Sequence, residues 1–212
     1  MKNIIYILCI SANLFAQFQP QTTEELQTAV NQYQLDCTSD LYGDINTWDV
    51  SLITDMSSLF YDFTNFNCDI SSWDVSNVTN MSYMLGKTYA FNQNISSWNV
   101  SSAINMEGMF NDSYYFDQDI SSWNVSNATN MTGMFNGAAN FNQDISSWDV
   151  SNVTNMTAMF YNASSFNQDI SSWDISNVNQ LDNVFSSNNS LYDENKCFIH
   201  RSWLSNPNWS LS

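Results

Sequence analysis

Six tryptophans, Trp48, Trp73, Trp98, Trp123, Trp148 and Trp173, recur at a strict interval of 25 residues, and the sequence between them repeats in register without insertion or deletion. Such a period limits the chain to an architecture built by stacking one small unit many times. Five repeats open with Asp or Asn before Ile-Ser-Ser-Trp, as in Asp144-Ile145-Ser146-Ser147-Trp148, and the first carries the variant Asp44-Ile45-Asn46-Thr47-Trp48. Within one repeat the apolar spacing changes. Trp148 and Val150 lie two apart, which suits one face of a short strand, whereas Met156, Met159 and Phe160 have the i, i+3, i+4 spacing of a helical turn. Each repeat therefore reads as a short parallel strand followed by a helical turn, with Thr154 as the N-cap of that turn.

One such coil cannot bury its own apolar face, so stability has to come from neighbours. The expected fold is a six-coil repeat solenoid over residues 44–190, between an N-terminal cap at 17–43 and a C-terminal cap at 191–212. Stacked at the parallel-strand spacing of ~4.8 Å, the coils would extend roughly 25 Å. Their core would be columns of like residues: the tryptophans; Met56, Met81, Met106, Met131, Met156 and Leu181; and Phe60, Leu85, Phe110, Phe135, Phe160 and Phe185. Each fully buried side chain of this kind contributes roughly 1.5–3 kcal/mol. Asn80, Asn105, Asn130 and Asn155, with Asp55 and Gln180 at the ends, form a polar column whose amides could bond along the stacking axis.

With 43% hydrophobic and 15% aromatic residues, the 212-residue chain can fill such a core. Its charge is lopsided, 21 acidic against 4 basic side chains and a net charge of −17. That balance repels phosphate backbones and anionic lipid, so nucleic acid and polybasic membrane binding are poor readings, while cations and basic partners stay open. Met1-Lys2-Asn3 and the apolar run Ile4 to Phe15 read as a signal peptide, residues 1–16, cut after Ala16. The run falls short of the roughly 20 apolar residues that cross a bilayer. Leu8 before Cys9 is not the small residue of a lipoprotein signal. No other apolar run is present, so the mature chain is expected to lack an integral membrane segment.

The pattern from Phe141-Asn142-Gln143-Asp144-Ile145 through Asn155-Met156 to Met159-Phe160 closely resembles the repeat of BspA-like, leucine-rich-repeat-type surface proteins, catalogued also as a domain of unknown function. The resemblance covers about residues 24–209. It includes Glu24 to Tyr33, similar to the short helix that starts such arrays. It also includes Asn195-Lys196-Cys197-Phe198-Ile199-His200 and Asn206-Pro207-Asn208-Trp209, similar to their ending. The resemblance implies a secreted or cell-surface protein of leucine-rich-repeat type, in some members tied to adhesion. It supplies no catalytic residues and no cofactor.

One departure stands out. Gln93, Gln118, Gln143 and Gln168 precede the Asp position, but the first repeat has Cys68 there, and Cys37 lies about one coil earlier. In an exported protein the two are a disulfide candidate, with Cys197 left over.

Asp69, Asp119, Asp144 and Asp169 form an acidic column interrupted by Asn94, and Asp49, Asp74, Asp149 and Asp174 form a second. Stacked carboxylates either splay into water, cap backbone N–H groups, or recruit a cation such as calcium. The first column is the calcium candidate, although no Gly-rich Asp repeat or EF-hand loop accompanies it. Catalysis has no support: His200 is the sole histidine, and the carboxylate pairs recur with the repeat. The Asn-x-Ser/Thr triplets arise from the repeat itself, and no Thr-x-Thr array suggests ice binding. Candidates for partner contact are the tyrosines of the segment that varies between repeats, Tyr89, Tyr114, Tyr115 and Tyr161. The function expected is a binding or adhesion module for an extracellular protein or glycan. The alternative is a purely structural or spacer surface repeat, which calcium could stabilise.

Overall fold

The computed structural model describes residues 17–33, 37–39, 41–188 and 190–209; the expected signal peptide lies outside the described residues. Most of the described chain is irregular, organised by contacts between residues distant in sequence and by one extensive, aromatic-rich cluster. The regular elements are α1 (Thr23–Val30), β1 (Thr38–Ser39), β2 (Gly43–Asp44), a 3-10 turn at Ile45–Thr47, and α2 (Asp193–Trp203).

The tryptophan column forms as expected and has a polar anchor that the periodicity alone did not reveal. From the second repeat on, each indole N–H donates to the isoleucine carbonyl of the preceding repeat, Trp73 to Ile45 at 2.8 Å and Trp98, Trp123, Trp148 and Trp173 to Ile70, Ile95, Ile120 and Ile145 at 3.1 Å, while Trp48 donates to Tyr42 O at 3.0 Å. This satisfies a buried donor and fixes the register of one repeat on the next. Indoles of adjacent repeats lie parallel, 6.4 Å apart between Trp98 and Trp123. Two phenylalanine columns stack beside them, with Phe110 to Phe135 at 5.6 Å and Phe116 to Phe141 at 6.0 Å. Within a repeat the two columns touch face to face, as Phe135 and Phe141 do at 4.1 Å.

The expected strand at Trp-x-Val does not form. Its two ends are tied into local turns instead: Trp148 N–H donates to Ile145 O at 3.1 Å and Val150 O accepts Val153 N–H at 2.9 Å. Parallel pairing occurs instead as single bridges in the Asn column, from Asp55 with Asn80 through to Asn155 with Gln180. The only ladder among the described residues, β1 with β2, is antiparallel and ends at Asp44, the first residue of the first repeat.

The expected helical turn is also replaced. Met159 N–H donates to Met156 O at 3.1 Å, but Ala158 has φ +55°, and the next turn, Phe160 to Ala163, has Asn162 at φ +54°. Positive φ in the third residue of a turn, as in type II, cannot continue a right-handed helix. What this geometry provides is a division of donors. The N–H groups of Met156, Ala158, Phe160 and Asn162 reach across to Gln180, Asp182, Val184 and Ser186 carbonyls at 2.8–3.0 Å, while the alternate ones close turns within the repeat. Every backbone donor in the stretch is thereby paired. Thr154 caps no helix; its hydroxyl donates to Thr129 O at 3.1 Å, and the capping role falls to Asn155, whose Oδ1 accepts Thr157 N–H at 2.9 Å.

At both ends, side chains of a helix take the place of a neighbouring repeat. Helix α1, capped by the Thr22 side chain accepting Glu25 N–H at 3.2 Å, buries Leu26, Ala29 and Val30. On its other side Thr23 Oγ1 and Gln27 Nε2 donate to Asp55 O and Leu59 O at 2.8 and 3.0 Å, occupying carbonyls that in later repeats serve the preceding repeat. At the far end Trp203 of α2 stacks on Trp173 at 6.4 Å, although 30 residues separate them rather than 25. Asn206 Nδ2 then binds Ile175 O and Val178 O at 2.6 and 2.8 Å, and Trp209 packs edge-on to Trp203 at 5.0 Å. The Cys37–Cys68 disulfide forms, with Cα atoms 5.3 Å apart, and ties the segment before β1 to the end of the first repeat.

Candidate binding face

Two outer surfaces carry the residues singled out from sequence, and they differ in how far their polar groups are already occupied.

On the first surface the polar columns are used up in holding the stack. Asp69, Asp119, Asp144 and Asp169 each accept, through Oδ1, the N–H of the serine two residues on, all at 2.9 Å, and Asn94 does the same at 3.0 Å. The second column repeats the motif, with Asp149 accepting Ser151 N–H at 3.1 Å and its hydroxyl at 2.7 Å. These bonds hold several carboxyls below the ordinary aspartate range: the Ser146 N–H acts first on Asp144, the Ser151 hydroxyl first on Asp149. Asp144, Gln168 and Asp169 line a shallow open depression of ≈ 350 Å³. Among the described residues, no three Asp, Glu, His or Cys side chains come together as a metal site would need. The four aspartates of the calcium reading each cap a turn of their own repeat through one carboxylate oxygen.

The other polar columns are stitches. Gln168 Nε2 donates to Asn142 O and Oδ1 at 2.9 and 2.8 Å, Ser172 Oγ to Ser146 O at 3.0 Å, and Asn177 Nδ2 to Ser151 O at 2.7 Å. The expected amide ladder in the Asn80 to Asn155 column is interrupted. Its oxygens cap their own turns, and amide N–H groups reach side-chain partners such as Asp55 from Asn80 at 3.2 Å and Gln180 from Asn155 at 2.6 Å.

The second surface is the variable edge. Tyr89, Tyr114, Tyr115 and Tyr161 are 45%, 51%, 55% and 38% exposed. Tyr114 and Tyr115 meet edge-to-face at 5.3 Å, and Tyr115 N–H donates to Tyr89 O at 3.1 Å, so three of the four share one stretch of repeats two and three. Tyr161 lies in repeat five, beyond the small residues Gly137, Ala138 and Ala139 of repeat four.

The structure adds neighbours that sequence reasoning passed over. Tyr61 and Tyr83 meet edge-to-face at 6.0 Å, Lys87 Nζ sits 5.3 Å from the Tyr61 ring centroid, and Tyr83 Oη donates to Glu107 Oε1 at 3.1 Å. Tyr61 beside it holds the Lys87 ammonium above its usual range, chiefly by hydrogen bonding. Burial, then the Glu107 carboxylate, raises the Tyr83 phenol. The 25-residue register contained the signal. Gly86 follows Tyr61 and Gly108 follows Tyr83 by one repeat, and each glycine leaves room for the ring ahead of it, Tyr61 Cδ2 being 3.0 Å from where a Gly86 Cβ would lie.

The disulfide is of the kind that persists in oxidising compartments, which points to the cell exterior. Among the described residues no helix is long and apolar enough to cross a membrane. No curated protein and no solved structure matches the chain. The sequence does match the family described as "Mycoplasma protein of unknown function, DUF285", over residues 25–135 and again over 104–198. The two overlapping matches cover most of the chain, as a repeat family would produce, and the protein belongs to the DUF285 family.

Proposed function

We propose that this protein is a secreted or cell-surface binding module, a solenoid of six stacked repeats akin to the BspA-like leucine-rich-repeat surface proteins, that engages an extracellular protein or glycan through its variable edge. One contrast carries the reading. The repeated columns spend their polar groups on stitching and capping, whereas the variable edge exposes Tyr89, Tyr114 and Tyr115 in adjacent repeats. Exposed, clustered tyrosines offer large contact area at low entropic cost, and in repeat proteins the positions that differ between repeats are free to carry specificity.

The account competes with a spacer role, which the dense stitching also fits. Both are tested by presenting the purified secreted chain to arrays of matrix proteins and glycans, with calcium and then with chelator. Saturable binding that survives chelation supports the module. Absence of binding under both conditions supports the spacer, and loss on chelation alone would give the aspartate columns a calcium role.

A further inference from the structure

The carboxylates of the variable edge differ from those of the columns. Asp69, Asp119, Asp144 and Asp169 are each engaged by a backbone N–H. Asp112, in repeat three and two residues before Tyr114, has no hydrogen-bond partner for its carboxylate among the described residues. It is half-buried, and its side chain lies over Gly137, where any Cβ would overlap it. Its carboxylate is thus held in place by packing and open to a donor from outside the chain.

The molecule itself shows how an ammonium is received on this face. Asp62, Lys87 and Asp112 occupy the same position in three successive repeats. Lys87 lies over the Tyr61 ring with Asp62 contributing to the stabilisation of its charge. One repeat further on, Asp112 stands at the Lys87 position itself, with the exposed pair Tyr114 and Tyr115 two and three residues after it, and no lysine or arginine of this chain falls in repeats three or four.

Resting on the binding-module reading, we propose that the repeat-three edge binds a lysine or arginine side chain from a basic segment of a partner protein. The aliphatic stem would lie along the Tyr114 and Tyr115 rings and the charged head would reach Asp112. The net charge of −17 draws such a segment in and repels an acidic one. A neutral glycan could use the rings and donate hydroxyls to the carboxylate but would leave its charge uncompensated.

The test is a fluorescence-anisotropy titration of the secreted chain with a labelled oligolysine peptide at physiological salt, and with the same peptide lysine-acetylated. Acetylation is expected to weaken binding about tenfold or more. Asp112→Asn, and Tyr114→Ser with Tyr115→Ser, should each weaken oligolysine about tenfold, whereas Asp193→Asn, which removes one charge on α2, should not. Circular dichroism checks that each variant keeps the fold. Equal binding of the acetylated peptide, equal loss from Asp112→Asn and Asp193→Asn, or no oligolysine binding would overturn the basic partner. If the tyrosine variant still loses a neutral ligand found on the arrays, the binding-face reading survives that result; if it loses nothing, both fall.

Discussion

Gly108 and Gly133 occupy the same position of adjacent repeats with φ of +56° and +55°, so they share one backbone requirement and differ only in what lies above them. A Cβ at Gly133 would meet nothing nearer than Asn136 Cβ at 3.6 Å, whereas at Gly108 it would overlap the Tyr83 ring. Gly133→Ala should therefore cost only the left-handed conformation, about 1 kcal/mol. Gly108→Ala should cost that plus displacement of Tyr83 and its bond to Glu107, a further 1–3 kcal/mol or so. Adding Tyr83→Ala to Gly108→Ala should recover most of the excess, a coupling that urea unfolding of the four proteins would measure. The reciprocal change, Ala158→Gly at φ +55°, should be neutral or stabilising by up to about 1 kcal/mol. Equal costs at Gly108 and Gly133, or no coupling to Tyr83, would refute the turn geometry.

Three other perturbations follow from the same structure. The Cys37–Cys68 link closes a separation of 31 residues, so Cys37→Ser with Cys68→Ala should cost about 3–4 kcal/mol, seen as a melting temperature lower by roughly 6–16 °C. An unchanged melt would mean that α1 holds the first repeat without it. Trp123→Phe leaves the Ile95 carbonyl without its indole donor and opens a void, costing about 2–4 kcal/mol by chemical denaturation, against well under 1 kcal/mol if the column is held by stacking alone. Asp49, Asp119, Asp144, Asp149 and Asp174 all have folded carboxyls below their usual value. Their contribution is present above the unfolded value of about 3.9 and is lost as pH falls through the lower folded value, so melting temperature should drop between about pH 5 and pH 2. A rise over that range would mean that relief of the chain's negative self-repulsion outweighs the caps.

The columns were legible in the sequence because burial demands an apolar residue at the same place in every repeat, and Trp48 through Trp173 advertise it directly. Local backbone geometry was not. Spacing of Met156, Met159 and Phe160 fits a helix and a pair of positive-φ turns equally well, since both bring the same side chains inward. Only the residues at the Ala158 position, Gly in two repeats but Ser, Tyr, Ala and Asn in the others, hinted at the difference. The strand at Trp-x-Val failed for a related reason: two-residue alternation reports which side chains face in, not where the N–H groups go. Tyr89, Tyr114 and Tyr115 could be found by their departure from the repeat. Asp112 could not, because an aspartate without a donor reads in sequence like one that caps a turn.

The most direct test of the binding face writes the repeat-four sequence into repeat three: Asp112→Gly, Ser113→Ala, Tyr114→Ala and Tyr115→Asn. Every new residue is one that the next repeat already carries at that position, so the stack should persist with an unchanged circular dichroism spectrum. The account predicts that this variant loses the array binding shown by the parent protein. Full retention of binding by a folded variant would contradict it.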